Sequence, residues 1–131
     1  MNCRYSGERF VSFLEMTIDT LRHVPLFESL DDEAAAELCH LLESIDSRAG
    51  SVLFRAGDEG DAMYIIERGK IRICVRATDG HEVTLTELRR GDFFGEMALL
   101  DGQRRRSADA IVAEDARLAV LSRRSLQENR Q

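Results

Sequence analysis

The sequence lacks the features that mark membrane-spanning, exported and disulfide-linked proteins. Its 131 residues contain no apolar run near the ~18 residues that a bilayer span requires. The first residues, MNCRYSGERF, contain neither the apolar core nor the cleavage site of a signal peptide. The cysteines, Cys3, Cys39 and Cys74, are odd in number and far apart, which argues against a disulfide framework or a CxxC site. We therefore expect a cytoplasmic protein with reduced thiols.

The chain also lacks the excess of positive charge that nucleic-acid-binding proteins carry. Its 24 acidic and 18 basic residues give a net charge of −6, so direct nucleic-acid binding is not expected and any anion site must be local. The histidines, His23, His40 and His81, are scattered singly, and no nucleophile has a plausible base. We therefore expect no metal site, no cofactor and no catalytic activity.

Apolar residues at helical spacing predict two α-helices before the rest of the domain. The first ends shortly before Pro25, because proline disfavours a helical residue ahead of it. The second runs from about Asp31 to Glu43, with Ser29 and Asp31 as capping candidates. The apolar stripe of the first helix is Phe10, Phe13, Leu14, Ile18 and Leu21, and that of the second is Leu38, Leu41, Leu42 and Ile45. The length of the chain is that of one domain, so these helices belong to a single core.

From Ser44 onward the apolar period changes from 3.6 to 2, which is typical of short antiparallel strands that form a sandwich or barrel. Asp79-Gly80 predicts a hairpin turn, and Glu114-Asp115 predicts a turn between the last two strands. In the first arm of the hairpin, Ile71, Ile73 and Val75 are expected on one face, with Arg72, Cys74 and Arg76 on the other. The predicted strands cover residues 51–55, 63–67, 71–76, 83–88, 111–113 and 118–121.

One segment between strand-like regions, GDFFGEMALLDGQRRRSADA, combines glycines, a carboxylate and arginines. Glu96 to Leu100 is predicted to form one helical turn, whose first N–H groups can bind an anion if Gly95 allows close approach. A nearby arginine can complete a phosphate site, because its planar guanidinium matches phosphate oxygens. Glu96 would repel phosphate, but it can accept a hydrogen bond from a ribose hydroxyl. The segment therefore predicts a site for a nucleotide with a cyclised phosphate.

The same segment resembles the phosphate-binding cassette of cyclic nucleotide-binding domains, the family of the bacterial catabolite activator protein and the regulatory subunits of cyclic AMP-dependent protein kinase. The resemblance extends from about Leu26 to Ser122 and includes GDEGDAMYIIERGKIRI and TDGHEVTLTELRRGDFFGE. The resemblance implies that the backbone at Gly95, Met97 and Ala98 contacts phosphate and ribose, and that Glu96 accepts a hydrogen bond from the ribose 2′-hydroxyl. It implies that Arg106 pairs with the phosphate and that Ser107 binds phosphate or base. The residues that it assigns to the base pocket are Ile73, Leu85 and Thr86.

Only one of the three consecutive arginines can be the buried one, and we assign Arg106. It directly precedes Ser-Ala at the start of a strand and lies ten residues after Glu96, a separation that the family uses. Arg104 and Arg105 are expected in the connecting loop, exposed to solvent.

The resemblance implies a mainly β fold, an eight-stranded antiparallel β-roll or jelly roll with N-terminal α-helices and a short C-terminal helix. We expect an N-terminal helical segment at 1–25, the cyclic nucleotide-binding domain at 26–122, and the start of a truncated C-terminal helix at 123–131. The implied function is a regulatory sensor for cyclic AMP, in preference to cyclic GMP, that passes the bound state to its flanking helices.

Two other functions stay open. The chain can be a degenerate domain that binds no nucleotide and serves as a protein-interaction or dimerisation module. It can also be the sensor half of a DNA-binding regulator, although its acidic balance and the lack of a reader domain weigh against this. The expected partners are a cyclic mononucleotide and either a second copy of the chain or a linked or associated effector domain.

Overall fold

The computed structural model describes residue 22, residues 27–95, residue 99 and residues 105–128. The chain divides into two compact units, Met1–Leu42 and Glu43–Gln131. The described residues contain helices α1 (Asp32–Cys39) and α2 (Arg123–Glu128), and strands β1 (Glu43–Ser47), β2 (Val52–Phe54), β3 (Ala62–Arg76), β4 (Glu82–Leu88), β5 (Phe93–Phe94) and β6 (Asp109–Ser122).

Helix α1 of the first unit begins where the capping signal predicts. The side chain of Asp31 accepts a hydrogen bond from the amide of Ala34 at 2.8 Å, which satisfies one of the free amides at the helix start. The expected end at Glu43 is wrong, because α1 ends at Cys39 and Glu43 already pairs with Val120 in β1. Pairing with β6 therefore overrides the helical apolar spacing that Ile45 continues. The first predicted helix, at 10–21, lies outside the described residues.

The second unit is built from antiparallel strands, which confirms the mainly β prediction. Strands β3 and β6 lie side by side along most of their length and form the centre of the sheet. At one end of this pair, β1 pairs with the second half of β6 and β5 pairs with the first half of β3. At the other end, β2 pairs with the first half of β6 and β4 pairs with the second half of β3. The unit thus consists of two half-sheets that share the same two central strands.

The described residues contain six strands rather than eight, because two pairs of predicted strands are continuous. The strands predicted at 63–67 and 71–76 form one strand that includes Gly69, and Glu114-Asp115, predicted to form a turn, lies inside β6. Gly69 has φ +94°, and a Cβ there would lie 2.4 Å from the Asp115 carbonyl oxygen. Both strands change register at this level. The turn signals therefore mark a bend shared by two strands, which leads from one half-sheet to the other.

The predicted hairpin between β3 and β4 is confirmed. The amide of Ala77 donates to the His81 carbonyl at 2.8 Å, and Gly80 has φ +91°, a conformation that favours glycine. The predicted faces of β3 are wrong at one residue, since Cys74 is fully buried. The register shifts between Ile73 and Cys74, and such a bulge changes which face a side chain occupies.

The core of the second unit lies between the half-sheets and draws on β3, β5 and β6. Its main cluster consists of Ile66, Ile71, Phe94, Ala110, Val112, Ala116 and Leu118. Leu53, Phe54, Tyr64, Ile73 and Leu88 are partly buried and pack against it. Among the described residues, no helix has both the length and the apolar character to cross a bilayer.

Candidate functional site

The candidate site is built on a tight turn that joins β2 to β3, which we call the 55–58 turn. The amide of Asp58 donates to the Arg55 carbonyl at 3.0 Å, and the amide of Arg55 donates to the Asp58 carboxylate at 2.9 Å. Gly57 has φ +91°, which explains why glycine occupies the turn. The turn is thus closed by its own backbone and by one aspartate side chain.

The 55–58 turn holds the backbone of Arg106 from both directions. The amide of Gly57 donates to the Arg106 carbonyl at 2.7 Å, and the amide of Arg106 donates to the Asp58 carbonyl at 2.7 Å. Next to them, Glu59 and Arg105 form an isolated antiparallel bridge. These bonds fix where the Arg106 side chain starts and which way it leaves the chain.

The guanidinium of Arg106 is half-buried and lies against the backbone of β3 and of Gly95, which follows β5. Its Nη2 donates to the Ala62 carbonyl at 2.8 Å, and its Nη1 reaches the Gly95 carbonyl at 3.4 Å. Its Nε is buried and has no hydrogen-bond partner. Burial lowers the pKa of this guanidinium, which nevertheless keeps its charge at any physiological pH. A fixed cation with an unused donor is therefore present here.

Two glycines make the room in which this guanidinium lies. A Cβ at Gly60 would lie 2.2 Å from Arg106 Nε, and one at Gly95 would lie 2.7 Å from Nη1. Gly95 also has φ +81°, whereas Gly60 has no left-handed φ. Any other residue at either position would force the arginine to move.

Aromatic rings line the other side of the guanidinium. Its Cζ lies 4.2 Å from the ring centroid of Phe54 and 6.0 Å from that of Tyr64, distances at which a cation is attracted to a ring face. Tyr64 stacks on Phe94 with centroids 4.9 Å apart. Burial raises the pKa of the Tyr64 hydroxyl, so the ring beside the cation is neutral at physiological pH. The site thus offers one positive charge beside aromatic rings in a partly buried setting, where an anion is bound more strongly than in water.

The structure brings together two of the residues that the sequence assigned to phosphate, Gly95 and Arg106. Arg105, the alternative to Arg106, is exposed, donates to the Gly57 carbonyl at 2.8 Å and lies 3.8 Å from the Glu59 carboxylate. Ser107 is exposed. Glu96, Met97, Ala98 and Arg104 lie outside the described residues, and of the predicted helical turn only Leu99 is described, as a buried residue.

The three residues assigned to the base pocket lie on the β3–β4 hairpin. Ile73 is half-buried and pairs with Thr86. Thr86 is exposed, and Leu85 is 59% exposed. The resemblance assigns these residues to a pocket, whereas the side chains of Leu85 and Thr86 lie at the surface of β4, an edge strand of the sheet.

Sequence reasoning missed three residues that shape the site: Asp109, Gly60 and Phe54. Asp109 stands out in the sequence as a charge inside the apolar strand ADAIVA, a pattern that signals a buried, paired carboxylate. Gly60 is the second glycine of GDEGD, where glycine can signal a close approach. Phe54 carried no signal beyond apolar strand character.

A model of the family "Cyclic nucleotide-binding domain" matches residues 45–130, which include the whole site. A cAMP-dependent protein kinase regulatory subunit of Aspergillus fumigatus is 37% identical over 103 residues, which cover 79% of this chain and 24% of that protein. A cGMP-dependent protein kinase, isozyme 1, of Drosophila melanogaster is 32% identical over 114 residues, which cover 86% of this chain and 15% of that protein. This chain thus spans a quarter or less of the length of these relatives.

Among solved structures, a cyclic nucleotide-binding-like protein from Brucella abortus superposes with a TM-score of 0.76. It is 33% identical, and the match covers 86% of this chain and 95% of that one.

Proposed function

Because the chain belongs to the cyclic nucleotide-binding domain family, we propose that it is a sensor module for a cyclic mononucleotide and not itself an enzyme. The observation that carries the proposal is the guanidinium of Arg106, half-buried beside Gly95 with a buried Nε that has no partner. A cyclic phosphodiester carries one negative charge, which this one cation can neutralise. Cyclic AMP is the preferred ligand and cyclic GMP the second, in line with the two kinase relatives.

Each residue has a proposed role in binding. Arg106 exchanges its contacts with the Ala62 and Gly95 carbonyls for the phosphate oxygens. The backbone of Gly95, Met97 and Ala98 contacts phosphate and ribose, Glu96 accepts from the ribose 2′-hydroxyl, and Ser107 binds phosphate or base. The surface of Ile73, Leu85 and Thr86 forms one wall of the base site, and its exposure leaves it open to a base.

The proposed output is a shift between two arrangements of the helices that flank the β-roll. A ligand can move such an equilibrium only as far as it binds one arrangement more tightly than the other. The strands and helices of residues 26–122 serve as the sensor in this proposal, and the segments at 1–25 and 123–131 carry the response to an effector domain or a second copy of the chain.

The test measures affinity by isothermal titration calorimetry with cyclic AMP, cyclic GMP and, as a control, linear 5′-AMP. Arg106→Ala is expected to weaken binding by about 30- to 4,000-fold, because truncating one partner of a desolvated charge pair costs about 2–5 kcal/mol. Arg105→Ala is the matched control and should change affinity less than about fivefold, since its contacts with Glu59 and the Gly57 carbonyl are exposed, and an exposed ion pair contributes about 1 kcal/mol or less. If Arg105→Ala proves damaging and Arg106→Ala silent, the assignment of the phosphate residue is wrong.

One observation favours a second function, a protein-interaction module without a nucleotide. Val83 and Leu85 on the edge strand β4 are 44% and 59% exposed, although both are large apolar residues. Thermal denaturation separates the two functions, because ligand at about a hundred times its dissociation constant adds about 2.7 kcal/mol of stability, or several degrees. If millimolar cyclic AMP and cyclic GMP leave the melting temperature unchanged, the interaction module is favoured.

A further inference from the structure

Asp109 is a buried carboxylate that none of the proposed ligand contacts uses. It is the first residue of β6 and is only 3% exposed. A carboxylate in such a position needs partners, because a buried charge without them is strongly destabilising. The side-chain hydrogen bonds of Asp109 come from the 55–58 turn, and the positive charge of Arg76 also acts on its carboxylate.

Both oxygens of the Asp109 carboxylate hold that turn. Oδ1 accepts from the amide of Ala56 at 2.7 Å, and Oδ2 accepts from Nη1 of Arg55 at 3.1 Å. The next two residues of the turn, Gly57 and Asp58, make the backbone bonds that hold Arg106. The Asp109 carboxylate is therefore connected to the backbone of Arg106 through the 55–58 turn, which is hydrogen-bonded to both.

We propose that Asp109 is a positioning residue for phosphate recognition, which fixes the 55–58 turn and through it the placement of the Arg106 guanidinium beside Gly95. The effect on affinity rests on the proposed function, whereas the effect on the turn does not. Asp109 touches no ligand in this proposal, because its two oxygens are directed at the turn.

A double-mutant cycle separates this role from a general effect on folding. Asp109→Ala is expected to weaken cyclic AMP binding about tenfold, the equivalent of one to two lost hydrogen bonds to a buried group. In an Arg106→Ala background the same change should alter affinity less than about twofold, because the group that it positions is gone. Asp109→Asn, which keeps one acceptor oxygen, should fall between Asp109→Ala and the native protein.

Asp46→Ala is the matched control, because Asp46 forms an ion pair with Arg117 of the same strand β6 at 2.9 Å, at the opposite half-sheet. It should leave affinity within about twofold at a temperature where urea denaturation shows every variant to be folded. A tenfold loss from Asp109→Ala that persists in the Arg106→Ala background, or no loss at all, would overturn the proposal.

Amide hydrogen exchange tests the positioning without any ligand. In Asp109→Ala the amides of Gly57 and Arg106 should exchange at least about tenfold faster, because the bonds that they donate depend on the turn. The amide of Ile66, which donates to the Asp92 carbonyl, should not change once global stability is matched. If the native protein binds neither cyclic AMP nor cyclic GMP, the proposed function fails, and unchanged exchange at Gly57 and Arg106 would separately refute the role of Asp109.

Discussion

Replacing Gly60 with alanine is expected to impair ligand binding while leaving the fold almost unchanged. The new Cβ would lie 2.2 Å from Arg106 Nε and 2.5 Å from Cζ, so the guanidinium must move by about 1.2 Å to restore an ordinary contact of 3.4 Å. Gly60 has no left-handed φ, so alanine brings no backbone strain. The substitution therefore acts first on the Arg106 side chain, which supplies the three atoms nearest to the new Cβ.

The expected change in the free energy of unfolding is small because its contributions oppose one another. Moving the guanidinium breaks its bond to the Ala62 carbonyl and its contact with Phe54, which together contribute about 2–4 kcal/mol. Hydration of the buried Nε offsets about 1–3 kcal/mol of this loss. Alanine in place of glycine adds about 0.4–1 kcal/mol to the free energy of unfolding, because it restricts the unfolded chain. We expect urea denaturation to give a value within about 1 kcal/mol of the native protein.

The expected loss of affinity is large by comparison. A displacement of about 1.2 Å removes at least one charged hydrogen bond to the phosphate, which is worth about 1.5–3 kcal/mol, or about 10- to 150-fold in the dissociation constant. Calorimetric titration with cyclic AMP measures it. Gly50→Ala is the control, expected to lower stability but not affinity, since Gly50 has φ +92° and open space around its Cβ, and none of the proposed ligand contacts uses it. Native-like affinity in folded Gly60→Ala would refute the argument that the position of Arg106 determines binding.

Three further predictions concern stability and reactivity. The hydrogen bond from the Ala56 amide, aided by Arg55, holds the pKa of Asp109 below its usual 3.8. The Asp109 carboxylate therefore stabilises the fold above about pH 4, and this stabilisation is lost as the pH falls below that value. Urea denaturation at pH 2.5 to 7 should therefore show a smaller difference between the native protein and Asp109→Asn at the acid end, and a constant difference would contradict the assignment. Burial raises the pKa of the Cys39 thiol to about 11, so iodoacetamide at pH 8 should alkylate it far more slowly than in urea, as peptide mass spectrometry can show. Gly69→Ala should lower the free energy of unfolding by about 2–4 kcal/mol, because its Cβ would meet the Asp115 carbonyl in a left-handed backbone. In the control Gly80→Ala the new Cβ meets no atom, so the free energy of unfolding should fall by about 1 kcal/mol. Equal losses in the two variants would show that the shared bend is unimportant.

The features that local physical chemistry determines were predicted from the sequence. Asp31 caps α1 and Asp79-Gly80 turns the hairpin, because each signal acts within a few residues of itself. The break predicted between 67 and 71 and the turn predicted at Glu114-Asp115 were wrong, because β3 and β6 are continuous at these positions. Their meaning depends on two strands bending at the same level, which only the pairing of β3 with β6 reveals.

Only part of the candidate site was predicted, because the rest depends on contacts between residues far apart in the sequence. The resemblance to the family identified Arg106 and Gly95, which the structure brings together. It gave no indication of Asp109, which acts on the backbone of Arg106 through a turn some fifty residues earlier in the chain. The exposure of Leu85 could not be predicted either, since a strand of alternating apolar residues has the same pattern whether its apolar face is covered by other residues or left exposed.

The two long strands that cross both half-sheets make the domain cooperative. Since β3 and β6 each continue through the bend at Gly69 and pair with each other on both sides of it, the two half-sheets are joined by continuous backbone and are expected to unfold together. A substitution that destabilises β1 is thus expected to lower the fraction of folded molecules, while the affinity of each folded molecule stays unchanged. The fraction of molecules with an intact site therefore follows the global stability of the β-roll.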